Sequence, residues 1–120
     1  MKISKHFTRE EMACNCGCGL DSMDVETLMV ADMVRDYAGV SITPSSAARC
    51  FKYNRSKAVG SNNKSQHPRC RALDLPVPDP QDVYDWLDEQ FPDCYGFGVY
   101  VDDGFVHIDT KSGPARRWEG

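Results

Sequence analysis

The stretch Phe97-Gly98-Val99-Tyr100-Val101-Asp102-Asp103-Gly104-Phe105-Val106-His107-Ile108-Asp109-Thr110 decides the fold. Two runs rich in β-branched and aromatic residues flank an Asp-Asp-Gly turn signal. They predict strands over 97–101 and 105–110, joined as a β-hairpin. Upstream, Ala72-Leu73-Asp74-Leu75-Pro76-Val77 reads as another strand, and its proline places it near a sheet edge. Val40-Ser41-Ile42-Thr43 alternates like a further short strand, stopped by Pro44. Helical signals come earlier and between. Val25, Leu28, Met29, Ala31, Met33, Val34 and Tyr37 recur mostly at three- and four-residue steps. That stripe predicts a helix from about 24 to 38, packed on the core, with Gly39 as its C-cap. Asp79-Pro80 predicts the start of a second helix running to about Phe91, with Val83, Trp86, Leu87 and Phe91 inward. Thr8-Arg9-Glu10-Glu11 has the capping-box pattern, so a short helical turn is expected from Thr8 to the glycines of Cys16-Gly17-Cys18-Gly19-Leu20. Helices first and strands late indicate an α+β fold, a mainly antiparallel sheet with helices packed on it.

The chain has 120 residues, the length of one domain over 1–120. Apolar residues make up 41% and charged residues 27%, values of a globular protein. No apolar run approaches the roughly 20 residues that span a bilayer, so no membrane role is expected. The start, MKISKHFTREEM, has no apolar core of a signal peptide. The net charge of -4 argues against nucleic acid as a partner. The basic residues Arg49, Lys52, Arg55, Lys57 and Lys64 lie in a long polar loop, 44–66, with few aromatics interleaved. Loops of this length are usually functional. A monomer is expected.

There are six cysteines. Cys14, Cys16 and Cys18 alternate, a spacing that fits structural zinc pairs poorly. The cysteines read instead as buried thiols or as one or two disulfides. Of the three histidines, His6 has no partner by spacing and is expected exposed. His67 ends the polar loop, Asp74 follows on a strand, and His107 sits inside the last strand of the hairpin. Two imidazoles and one carboxylate, with no fourth protein ligand, are the donors of a catalytic zinc site. Spacing alone fits equally well a hydrogen-bonded histidine partly buried in a hairpin.

Several motifs recur together in one known family. Ser65-x-His67 followed by Ala72-x-Asp74, then Phe105-Val106-His107-Ile108-Asp109 after Gly96-Phe97-Gly98-Val99-Tyr100, resemble the zinc motifs of the D-Ala-D-Ala carboxypeptidase and L-alanyl-D-glutamate endopeptidase family, the hedgehog-type peptidases. Ala115-Arg116-Arg117-Trp118, the opening Phe7-Thr8-x-x-Glu11 with Cys14-x-Cys16-Gly17-Cys18-Gly19, and Asn54, Val59 and Gly60 resemble its short phage and prophage branch. The resemblance covers about 7–118. It implies a hedgehog-type α+β domain with Zn²⁺ held by His67, Asp74 and His107. It implies that a metal-activated water cleaves peptidoglycan stem peptides. Arg49, in Ser46-Ala47-Ala48-Arg49, would bind substrate and support the oxyanion, as a charged planar fork can. Ser65 would hydrogen-bond near the site. A protein of this kind would remain in the host cytoplasm until released to the wall or periplasm, or travel with the virion.

Departures from the family pattern bear on the chemistry. Ser-Gly-Tyr-Arg is here Ser-Ala-Ala-Arg, a loop glycine is Ser61, and the glycine between the first histidine and the aspartate is Cys70. Many relatives carry an acid three residues before the second histidine, where this chain has Gly104. Asp103, and Asp109 on the same strand face as His107, are the candidate bases; Asp109 is also a candidate orienter of a ligand imidazole. Cys50 and Cys70 would flank the cleft and could form a bridge. Trp118 is expected at the core edge rather than in the cleft. The missing acid at Gly104 motivates a second reading, a catalytically weakened relative that binds cell wall. A third is a structural or redox cysteine protein.

Overall fold

The computed structural model describes residues 1–49 and 65–120. The Cys50 half of the expected bridge, most of the basic loop, and Asn54, Val59, Gly60 and Ser61 lie outside the described residues. The elements are a 3₁₀ turn at Glu10–Met12, helix α1 (Val25–Ala38), strand β1 (Ala72–Pro76), helix α2 (Pro80–Gln90), and strands β2 (Gly96–Tyr100), β3 (Phe105–Asp109) and β4 (Arg116–Glu119). The four strands form one sheet in the order β1-β3-β2-β4. β3 pairs antiparallel with β1 and β2, while β4 runs parallel to β2. The fold is α+β, as expected, and compatible with a hedgehog-type domain.

Local chemistry explains the element ends. The Thr8 amide donates to Glu11 Oε1 at 2.9 Å and the Glu11 amide to Thr8 Oγ1 at 3.3 Å, so the capping box forms. Its turn stops at Met12, short of the glycines, because Met12 is drawn fully into the core. The Asp24 side chain accepts from the Glu26 amide at the start of α1, and Gly39 ends it at φ +70°. Asp79 caps α2, with Pro80 in its first turn.

The buried face of α1 is Thr27, Leu28, Val30, Ala31 and Val34. The expected stripe is therefore rotated: Val25, Met29 and Tyr37 are exposed. Thr27 belongs to the interior because its hydroxyl meets that of Thr110, 2.6 Å away. Tyr37 stacks instead on Trp86 of α2, with centroids 4.3 Å apart. Val83 and Leu87 of α2 are buried, with Trp86 and Phe91 partly so. The strand expected at 40–43 is absent. That segment stays irregular, and the chain meets the sheet a little later, where the Ser45 amide donates to the Asp74 carbonyl and Ser46 bridges Asp74.

Strand alternation divides the sheet into two faces. Leu73, Leu75, Phe97, Val106 and Ile108 face the core under the helices. Asp74, Gly98, His107 and Asp109 occupy the alternate positions. β4 was not expected as a strand, since Arg116-Arg117-Trp118-Glu119 lacks an apolar alternation. Arg117 anchors it: its guanidinium stacks 4.5 Å over the Phe97 ring and donates to Asp88 and to the Tyr95 and Phe91 carbonyls. Trp118 then lies over Gly98, where a Cβ would stand 2.4 Å from the indole nitrogen. Gly98→Ala is expected to destabilise the protein by about 1–3 kcal/mol through overpacking and to displace Trp118. Urea unfolding followed by tryptophan fluorescence checks both. An unchanged midpoint and spectrum would contradict this packing.

Candidate metal centre

A cleft of about 410 Å³ opens on the sheet face that carries Asp74, His107 and Asp109. Arg49, Ser65 and His67 reach it from the segments on either side of residues 50–64, and Tyr100, Arg116 and Trp118 from β2 and β4. Asp74 sits opposite His107 in the β1–β3 register. The Asp74 amide also donates to the Ser46 carbonyl at 2.9 Å, so its backbone is held from both sides.

Asp74 Oδ1 lies 2.9 Å from His107 Nδ1 and 3.4 Å from His67 Nε2. One donor atom from each of the three residues falls within 4.8 Å of the others. The far nitrogens fix the tautomers. His67 Nδ1 is 2.6 Å from the Ala47 carbonyl oxygen, which can only accept, so Nδ1 carries the proton. His107 Nε2 is 3.0 Å from Asp109 Oδ2. Asp109 is ionised and doubly bonded by Arg116, so Nε2 donates to it. In the neutral rings, the lone pairs of His67 Nε2 and His107 Nδ1 therefore converge on a carboxylate oxygen. Three acceptors facing one another are the arrangement that a bound cation satisfies. The donor set thus fits a divalent metal such as zinc, with each ligand imidazole braced from behind.

Arg49 is nearly buried and donates to Asp74 Oδ2 at 3.3 Å and to Ser46 Oγ at 2.8 Å. Ser65 Oγ accepts from the His67 amide at 3.3 Å. Asp103 is exposed in the hairpin turn, away from the described cleft lining. Trp118 lies in the cleft with its ring 5.2 Å from His107, which corrects the core-edge expectation. It faces inward because β4 runs beside the glycine-bearing β2. His6 pairs with Asp36 at 2.6 Å, so it does have a partner. Sequence reasoning gave no role to Arg116, Tyr100 or Gln66. The family-like ending Ala115-Arg116-Arg117-Trp118 is the signal the sequence holds for Arg116.

Burial opposes charge at Asp74, yet the bonds from His107 and His67 outweigh it and hold the carboxyl well below its usual range. Burial likewise opposes charge at Asp109, but His107 and Arg116 bring it down to about 2. Burial lowers His67. At His107 burial also lowers, but Asp109 and Asp74 prevail and the net shift is upward. A carboxyl depressed in the folded state stabilises the fold above its unfolded pKa of about 4 and loses that contribution as pH falls through the folded value. The metal-free protein is therefore expected to lose stability between about pH 4 and pH 2. Asp109→Asn should remove up to about 2 kcal/mol of stability near neutrality and flatten that acid limb. Denaturant midpoints across this pH range decide it, and parallel limbs in both proteins would contradict it.

A family model for Peptidase M15 matches residues 5–109. No curated protein and no solved structure matches the chain. The matched span contains Arg49, His67, Asp74, His107 and Asp109 and covers most of the sequence. None of the described helices is long and apolar enough to cross a membrane. With its α+β sheet and its two-histidine, one-aspartate cleft, the chain belongs to the peptidase M15 family, whose members depend on zinc.

Proposed function

We propose that this protein is a zinc peptidase of bacterial cell walls, cutting peptidoglycan stem peptides as a D-Ala-D-Ala carboxypeptidase or an L-Ala-D-Glu endopeptidase. The observation that carries this reading is the convergence of His67 Nε2, Asp74 Oδ1 and His107 Nδ1 in an open cleft beside a nearly buried arginine. His67, Asp74 and His107 would hold the metal. When bound, zinc supplies a Lewis acid for the scissile carbonyl and lowers the pKa of a water towards neutrality.

The chain's own residues do the rest. The Ala47 carbonyl and the Asp109 carboxylate fix the two imidazoles by accepting their far protons. Asp109 is a positioning residue in this scheme. Its bonds to Arg116 and its low pKa make it a poor proton acceptor. Arg49 offers a permanently charged fork to a substrate carboxylate and to the oxyanion that develops at the scissile carbonyl. Ser65 holds the backbone entering His67. Tyr100, hydrogen-bonded to Trp118 at 2.9 Å, gives the cleft an aromatic wall against which apolar parts of a peptide pack. The acidic chain would act alone, on walls reached after release from the host cytoplasm or as part of a virion.

A specific observation also favours the second reading, a wall-binding relative with weakened catalysis. The carboxylates among the described lining residues are Asp74 and Asp109, and both are engaged by histidines and arginines. Neither is placed to take a proton from an attacking water.

Metal content by mass spectrometry, after dialysis against a weak chelator, tests the site. Wild type should carry about one zinc per chain more than His107→Ala. Equal content would remove the basis of the proposal. Peptide release from purified walls tests the activity. Arg49→Ala should lower kcat/KM about 10²- to 10³-fold with metal content unchanged. Wild-type protein that sediments with walls, binds zinc and releases nothing would favour the binding reading.

A further inference from the structure

Outside the cleft, the described residues hold one other cluster of metal-binding side chains. The sulfurs of Cys14, Cys16 and Cys18 all lie within 4.8 Å of one another. Alternate residues of an extended chain stand about 6.6 Å apart along the strand, which is why the spacing alone argues against a shared ligand. Here the chain is not extended. Gly17 and Gly19 take φ of +80° and +93°, a backbone that side-chain-bearing residues rarely adopt. The Gly17 amide returns to the Cys14 carbonyl at 3.1 Å, and the Cys14 amide donates to the Leu20 carbonyl at 2.7 Å. The loop closes on itself with its three sulfurs gathered.

We infer that Cys14, Cys16 and Cys18 form a second metal site, a three-thiolate loop for a thiophilic d¹⁰ cation of the Zn²⁺ or Cd²⁺ type. Zinc–sulfur bonds of about 2.3 Å in tetrahedral geometry place sulfurs about 3.8 Å apart. The Cys14–Cys16 separation is 3.4 Å, and the other two pairs fall inside the 4.8 Å limit. Cys16 and Cys18 are exposed, so their side chains have room to adjust. A disulfide needs about 2.05 Å, and none joins two described cysteines. Three soft sulfur donors with no described oxygen or nitrogen ligand select a thiophilic ion over Mg²⁺ or Ca²⁺. Each thiol that binds gives up its proton to solvent.

The loop's place in the fold gives such an ion a structural role. Met12, just before it, is fully buried and accepts from the Ala48 amide at 3.1 Å. Asn15, inside it, donates to the Ser45 carbonyl at 3.3 Å. The loop therefore braces the segment 45–48, whose Ala47 carbonyl orients His67 and which leads directly into Arg49. An ion binding only the folded loop stabilises the fold by mass action.

The test is independent of the cleft. Reduced protein is loaded with Cd²⁺, desalted, and read for cadmium content and for the ultraviolet thiolate-to-cadmium charge-transfer band. His107→Ala should keep the band and its cadmium should fall by about one per chain. Cys16→Ser/Cys18→Ser should lose the band and a separate cadmium, and should still release peptides from walls if wild type does. Cys70→Ser/Cys94→Ser should keep both signals. Cadmium should also slow alkylation of Cys16 and Cys18 in the unmutated protein at least about tenfold, by peptide mass mapping. A band and stoichiometry unchanged in Cys16→Ser/Cys18→Ser, or alkylation of those two thiols at full rate with cadmium present, would overturn the inference.

Discussion

Asp74 keeps its negative charge in a place where burial opposes it, and the surrounding structure is arranged around that fact. One oxygen meets the two imidazoles and the other meets Arg49. An isolated buried carboxylate would neutralise. Here its neighbours hold it ionised, and each of those neighbours is itself braced. Ala47 accepts from His67, Asp109 from His107, Ser46 from Arg49, and Arg116 holds Asp109. The backbone of Asp74 is likewise fixed from two directions, by β3 and by the segment around Ser46. Such an arrangement is a costly way to stabilise a fold, since buried ion networks do little better than apolar packing. It is a good way to hold three donor atoms at one point.

The parts of this arrangement written in local sequence were the legible ones. Period-two alternation placed His107 and Asp109 on one strand face and Asp74 on another strand. Turn and cap residues marked the hairpin and both long helices. The convergence of His67 with them was not readable from spacing, because it depends on the register of β1 against β3 and on a loop return. For that part only the resemblance to a family brings the three residues together. Asp109 shows the same limit. Its side was legible, but its bond to Arg116 requires β4, and β4 is held by Arg117 on Phe97 rather than by any strand-like pattern of its own.

Two misreadings share a cause. Hydrophobicity alone predicts the stripe on α1, yet Thr27 is buried and Val25 exposed, because a hydroxyl pair with Thr110 fixes how the helix is rotated. The alternation at 40–43 is strand-like, but the chain pairs with the β1 edge only farther on, where Ser46 bridges Asp74. Tertiary contacts override weak local preference in both places. Cys70 is the converse case. It adopts φ +58°, a region that favours glycine, and glycine is what the family pattern carries at that position.

The parallel pairing of β4 with β2 has a consequence for how the protein comes into being. The cleft draws on residues from Arg49 to Trp118, and the Trp118 part of its aromatic wall and the clamp on Asp109 come from the strand synthesised after all the others. A nascent chain that has already emerged through the hairpin holds both histidines, the aspartate and Asp109, but not the Arg116 guanidinium that clamps Asp109 behind His107. The centre therefore becomes fully braced only as translation of this region finishes, and a chain cut short before Arg116 would carry the ligands with the Asp109 brace on His107 left unclamped.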